Sequence, residues 1–283
     1  MGESEWTDVS DGRGDPTRAY RVPLPSGRWI GVFFYDGQVS RAVAFEGLLT
    51  SGEEFADRLA GAFSDARDRP QIVNIATDGE SYGHHHRYGD MALAYALDRI
   101  ESGGPTRLTN YAEYLERHPP EHEVEIFENT SWSCSHGLER WRSDCGCSTG
   151  THPGWTQAWR GPLRAALDWL RDTVAPKYEA RARQIFRDPW AARDDYIDAI
   201  LDRAPENADR FFAQHALRPL DREDAVLALK LLELQRHAML MYTSCGWFFD
   251  DLSGIESAQV IQYAGRLVRL AQELFGDHLC EDR

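Results

Sequence analysis

The sequence predicts an α/β segment followed by an α-helical one, and three observations carry that expectation. Strand-like and helix-like patterns alternate up to about residue 130, which points to a parallel α/β arrangement. From about Thr156 helical periodicity dominates, punctuated by Pro176, Pro189, Pro205 and Pro219. Between the two, residues 129–154 are rich in Gly, Ser, Trp and Cys and read as a connecting loop. The expected division is a disordered lead-in at 1–17, an α/β part with its site loops at 18–154 and a helical domain at 155–283.

The lead-in is acidic, rich in Gly, Ser and Asp, and weakly patterned. Residues 27–35 look like a strand closed by an Asp36-Gly37 turn. Ser51, with Glu54 three positions on, marks the start of a helix to about Asp65. Ile72, Val73, Ile75 and Ala76 form a short apolar run, as expected of a strand buried on both faces. A polar burst follows at 77–86, and then a helix over 88–100 carrying Met91, Leu93, Ala94, Leu97 and Ile100. Short strands are expected at 106–108 and 123–127, with a helix over 111–117 between them. In the second half, helices are expected over 158–174, 177–186, 191–202, 208–216, 222–242 and 255–275.

Composition narrows the functional classes. The 283 residues are 42% hydrophobic, ample for one large core or two smaller ones. A net charge of −15 argues against nucleic acid or an anionic membrane as partner. No apolar run is long enough to cross a bilayer and no signal-peptide pattern follows Met1, so a cytoplasmic protein is expected. In that compartment five cysteines do not read as a disulfide framework.

Four constellations can carry chemistry. The first is Asp78-Gly79-Glu80 with His84, His85 and His86, at the end of the expected 71–76 strand. Carboxylates there suit acid/base catalysis, because α/β sheets gather catalytic groups at the C-terminal ends of their strands. Helix capping by Asp78, beside ordinary loop histidines, explains the same residues equally well. The second is Cys134, His136, Cys145 and Cys147, which can form a closed Cys₃His zinc site. Cys245 in place of His136 would give Cys₄, an iron–sulfur cluster on the four cysteines is a further option, and unligated packing is the bland reading.

The third constellation is aromatic: Trp132, Trp141, Trp155 and Trp159, with Trp247 farther on. Trp159 and Trp169 fall on helices and read as core, whereas Trp132 and Trp247 are the better sugar-stacking candidates. In the fourth, Leu227, Leu231, Leu234, Ala238 and Met241 make an apolar stripe that ends at Gly246. Trp247, Asp250 and Asp251 are then expected in a loop, where function concentrates.

The run Asp78-Gly79-Glu80-Ser81-Tyr82-Gly83-His84-His85 resembles the Asp-x-Glu-x-Phe-Gly motif of glycoside hydrolase family 57. Asn129-Thr130-Ser131-Trp132-Ser133, with Trp141 and Trp155, is similar to a Ser-Trp segment of its branching-enzyme-type members. Residues 235–249 look like the helix ending in Ser-Asp-Trp in their helical domain, with Cys245-Gly246 standing in place of Ser-Asp. The chain also resembles a bacterial group that pairs this family with a domain of unknown function numbered 3536, from about Tyr20 onward.

That resemblance implies the C-terminal part of a (β/α)7-type glycoside hydrolase/deacetylase barrel followed by an α-helical domain. It implies retaining chemistry on an oligosaccharide or α-glucan, with Asp78 as general acid/base and no required cofactor. Retention needs a second carboxylate about 5 Å away. The family's nucleophile lies in a Trp-x-Pro-Glu-type motif, which is missing before Asp78; Glu46 is the only strand-like glutamate upstream. The nucleophile is therefore expected from a partner polypeptide or an N-terminal half, and an exposed half-barrel edge implies association with a partner or with itself. Glu80, His84, His85, Trp132, Trp247 and Asp250 become the substrate-binding candidates. The alternatives are a zinc or iron–sulfur protein using Cys134, His136, Cys145, Cys147 and Cys245 with a non-sugar ligand, and a non-catalytic sugar-binding subunit.

Overall fold

The computed structural model describes residues 6–10, 12–131, 133–148 and 152–276. The chain divides into two units, Met1–Phe127 and Glu128–Arg283. No helix among the described residues is long and apolar enough to cross a membrane.

In the first unit, β1 (Ala19–Pro23) and β2 (Trp29–Phe33) pair antiparallel, Ala19 opposite Phe33 and Pro23 opposite Trp29. Gly27 closes the hairpin at φ +79°, donating to Leu24 O at 2.9 Å. Helix α1 (Gly37–Phe45) starts where Asp36 accepts from the amides of Gln38 and Val39, and α2 (Gly52–Ala60) where Ser51 accepts from Glu54. Helices α3 (Gly89–Gly103) and α4 (Tyr111–Arg117) complete the unit, Asn110 capping the latter.

Val39, Val43, Leu49, Phe55, Ala56, Ala92 and Ala96 form the main core of this unit. Helices α2 and α3 pack closely: a Cβ on Gly52 would sit 2.8 Å from the Tyr95 ring. That proximity corrects the expected apolar face of α3. Small Ala92 and Ala96 point inward, and Met91 is exposed.

The expected parallel strands do not form. Among the described residues the one sheet is β1–β2. Residues 71–76 run extended, but Ile72 donates to Thr17 O, Asn74 O accepts from Asp36, and Ala76 donates to Ser40 Oγ. Bonds spread over three partners cannot propagate as a ladder. Residues 122–124 flank β1 through a single parallel bridge, Arg21 to Glu123. The lead-in is also ordered sooner than its composition suggests. Arg69 pairs with Asp15 and donates to Thr17 Oγ1 (2.8 Å) and Thr17 O (3.1 Å). Burial pushes the Asp15 carboxyl up, but hydrogen bonds from Thr17 and the charges of Arg69 and Arg18 outweigh it and hold it below its usual range.

The second unit is helical: α5 (Arg160–Ala182), α6 (Pro189–Leu201), α7 (Pro205–His215), α8 (Arg222–Leu240), the short α9 (Cys245–Phe248) and α10 (Ile255–Phe275). Pro189 and Pro205 occupy first-turn positions, where a missing N–H costs nothing. Pro176 was expected to separate two helices, yet α5 runs through it for 23 residues. Val174, Tyr178 and Ala182 continue one buried stripe across the proline, and Tyr178 donates to Pro189 O at 2.6 Å. Packing along that stripe offsets the lost backbone bond. Helix α8 supplies Leu231, Leu232 and Leu234 to the core, against Leu267 and Leu270 of α10.

Candidate functional site

The polar burst in the first unit folds as a short 3₁₀ turn, Gly79–Ser81, with Asp78 at its start. The Asp78 carbonyl accepts from Ser81 N at 3.1 Å, but its carboxylate makes no capping bond and faces solvent. The capping explanation for Asp78 therefore fails on geometry. Glu80 is exposed as well, and its carbonyl accepts from the amides of His84 (3.1 Å) and His85 (2.8 Å).

The histidines then part company. His84 and His85 are exposed with ring centroids 5.0 Å apart, while His86 turns inward and donates from Nε2 to Ala44 O at 3.1 Å. Gly83, at φ +129°, permits that reversal. Tyr82 braces the turn through its hydroxyl, 2.9 Å from Thr77 Oγ1. Asp78, Glu80, His84 and His85 thus share one exposed turn. Glu46 is not on a strand: it ends α1 and pairs with Arg41 at 3.0 Å, which removes it as a strand-borne nucleophile.

In the second unit the loop before α5 gathers Cys134, His136, Cys145 and Cys147. Their ligand atoms all lie within 4.8 Å of one another. Cys134 Sγ is 3.7 Å from both Cys147 Sγ and His136 Nδ1, and Cys147 Sγ is 3.4 Å from His136 Nδ1. Gly137 (φ +65°) and Gly146 (φ +77°) make the two reversals that aim these side chains together. At Gly137 a Cβ would lie 2.0 Å from Asn129 O, so only glycine fits. Cys245 is exposed on α9 and is not a member of the group, so the four-cysteine alternative is not assembled.

Charge around the thiols is organised. Burial pushes the Cys145 thiol up, but the Cys147 amide, the neighbouring thiols and Arg160 outweigh it and hold it below its usual value. Cys147 is pushed up, first by its contact with Cys134 and then by burial and Cys145. Arg160, wholly buried at the start of α5, donates to the carbonyls of Phe248 (3.0 Å) and Phe249 (3.1 Å), with Ser143 O (3.4 Å) and Cys145 Sγ (3.8 Å) also in reach. Burial lowers its guanidinium pKa, opposed by Cys145. Arg140 is buried alongside, 3.7 Å over the Phe248 ring.

Asp250 lies in the loop after α9, as expected, but its carboxylate is already engaged in binding the cysteine loop to the helices. It is buried; its two carboxylate oxygens accept from Ser148 Oγ (2.9 Å) and Gln157 Nε2 (3.0 Å), and its carbonyl accepts from Trp159 Nε1 (3.2 Å). Trp247 is likewise no sugar platform. It is 1% exposed, donates from Nε1 to Met241 O at 3.1 Å and stacks on Trp159 at 6.2 Å. The short helix α9 replaces the expected loop and turns the indole inward. Trp132 lies outside the described residues.

Of the described tryptophans in the aromatic constellation, Trp155 is the one that is largely exposed (48%), and it stacks on His152 at 4.1 Å. With Thr156, Trp159, Asp250, Asp251, Leu252 and Ser253 it lines an open, largely apolar cleft of about 570 Å³. Its position in a Gly-rich loop rather than on a helix is the signal in the sequence, although Trp132 and Trp247 read as the better sugar-stacking candidates there.

Residues 3–126 match glycosyl hydrolase family 57, and residues 155–282 match a domain of unknown function (DUF3536). No curated protein and no solved structure shows significant similarity to the chain. The cysteine loop falls between the two matched segments.

Proposed function

We infer that this chain, a glycosyl hydrolase family 57-like protein carrying a domain of unknown function 3536, acts on carbohydrate through the Asp78 turn. The observation that carries the reading is that this turn lies inside the family 57 segment and offers Asp78, Glu80, His84 and His85 to solvent together. The proposed substrate is an oligosaccharide or α-glucan. Asp78 gives its proton to the glycosidic oxygen as the bond breaks; as a carboxylate it then takes a proton from the incoming water or sugar hydroxyl. Glu80, His84 and His85 hold substrate hydroxyls.

Retention needs a nucleophilic carboxylate on the opposite face of the sugar. Glu46 ends α1, exposed and paired with Arg41 at the surface, which does not favour it as that group. A partner polypeptide, or an N-terminal half of the barrel, carrying that carboxylate is the proposed source. A covering partner or bound sugar would also shield the turn from bulk solvent while admitting the one water or sugar hydroxyl that completes the reaction. With the assembled enzyme and an α-glucan, Asp78→Asn is expected to lower kcat by about 10²–10⁴-fold with KM little changed. Unchanged turnover in that variant would remove Asp78 from the chemistry.

The cleft at Trp155 favours a second reading, in which the helical unit holds sugar without turning it over. An exposed indole with apolar neighbours suits the C–H face of a pyranose. Glucan retention on affinity electrophoresis that survives Asp78→Asn but not Trp155→Ala would support it, and retention unaffected by Trp155→Ala would exclude it.

A further inference from the structure

We propose that Cys134, His136, Cys145 and Cys147 hold one zinc ion in a closed, structural Cys₃His site. Sulfur at about 2.3 Å and nitrogen at about 2.0 Å from one tetrahedral ion place the ligand atoms roughly 3.5–3.8 Å apart. The separations here are 3.7 Å between Cys134 and Cys147 Sγ, and 3.7 and 3.4 Å from these sulfurs to His136 Nδ1. The whole set fits within 4.8 Å. An iron–sulfur cluster distributes its ligands over separate irons and holds them farther apart, so one ion is the better fit. Among single ions, three thiolates and an imidazole in a tetrahedron select zinc.

The surroundings fit the charge of such a centre. Zinc displaces three thiol protons and leaves one net negative charge on the four-ligand unit. Arg160 is a fully buried guanidinium whose hydrogen bonds run to the carbonyls of Ser143, Phe248 and Phe249 and to Cys145 Sγ. A cation at that depth needs an anion beside it, and a zinc–thiolate centre provides one. Four protein ligands fill the tetrahedron, so no position is left for an activated water and the role is structural. The ion closes the chain between Cys134 and Cys147, and Asp144 and Ser148 fasten that closed loop to Gln157 and Asp250. The proposal does not depend on the carbohydrate reading, because the loop lies outside the family 57 segment.

The test is metal analysis of the full chain purified without chelator, expecting about one equivalent of zinc and no stoichiometric iron. Titrating the native protein with an organomercurial in the presence of a zinc-responsive dye should release that zinc as thiols react. Reconstitution with cobalt(II) should give the intense visible bands and thiolate-to-cobalt charge transfer of a tetrahedral thiolate site. Cys145→Ser and Cys147→Ser should each lower zinc affinity by at least about tenfold, Cys245→Ser should leave it unchanged, and His136→Cys should keep the ion. Absence of metal, stoichiometric iron, or zinc that the mercurial does not release would overturn the proposal. So would loss of zinc in Cys245→Ser. Because the mercurial titration uses the unaltered chain, it decides the matter even if the serine variants do not fold.

Discussion

The turn at 77–86 and the loop at 129–148 look alike as sequence: each is a short polar burst dense in groups that can hold protons or metals. Their structures are opposite. In the turn, Asp78, Glu80, His84 and His85 face solvent, and the backbone bonds around them are local. In the loop, Cys134 is buried, the other ligand side chains converge on it, and Arg160, Gln157 and Asp250 tie the loop to helices far along the chain. An open turn can receive a substrate; a closed, charge-compensated loop fits a permanent occupant. Density of reactive residue types marks a site, but the length and burial of the connections around it separate reaction from architecture.

That contrast has measurable consequences. Substitutions in the buried core of the helical unit should register as lost folding, and those in the turn as lost turnover. Trp247→Ala empties a fully buried site and is expected to cost about 3–5 kcal/mol in chemical denaturation, whereas Trp155→Ala should stay within about 0.5 kcal/mol. A stable Trp247→Ala protein with impaired glucan retention would reverse the two assignments. Asp78→Asn, for all its expected effect on kcat, should leave the denaturation midpoint in place.

Within the loop, Gly137→Ala sets a methyl group against Asn129 O as well as forcing a positive φ, and should cost about 3 kcal/mol or more. Gly146→Ala meets open space and bears only the conformational cost, about 1–2 kcal/mol. Equal effects at the two positions, measured by the same denaturation series, would mean that the Asn129 contact does not constrain the loop.

The smallest effect belongs to the first unit. Because the Asp15 carboxyl is held below its ordinary value, its contribution is present above the unfolded aspartate range and is lost as pH falls through the lower, folded value. Asp15→Asn should therefore cost about 1 kcal/mol near pH 7, and the difference from the parent should vanish in acid. A difference that instead persists at low pH would show that the carboxylate charge is not what matters there.

Much of this was legible locally. Ser51 with Glu54, and Pro189 and Pro205 at helix starts, are signals that act within a few residues, and the helices follow them. The Cys134, His136, Cys145 and Cys147 set was legible as one of two ligand choices, and the Asp78 motif as one of two explanations. The pairing of residues 71–76 was not legible because an apolar run specifies burial and extension, not a pairing partner, and here its bonds scatter to Thr17, Asp36 and Ser40. The helix through Pro176 was not legible because a local break can be overridden by a continuous buried stripe.

The sequence by itself determined the α/β-then-α order, the caps, and which residues are chemically able to bind a metal or move a proton, since each depends on residue type and near neighbours. Only the tertiary structure decided that Trp247 is core while Trp155 faces solvent, that Asp250 is already committed to Ser148 and Gln157, and that His136 rather than Cys245 joins the three cysteines. Those outcomes depend on contacts such as Trp159 with Trp247 and Arg160 with Phe248, between residues some 90 positions apart. Local pattern carries no information about which distant surfaces exclude water from one another, and that exclusion is what makes a side chain structural or available.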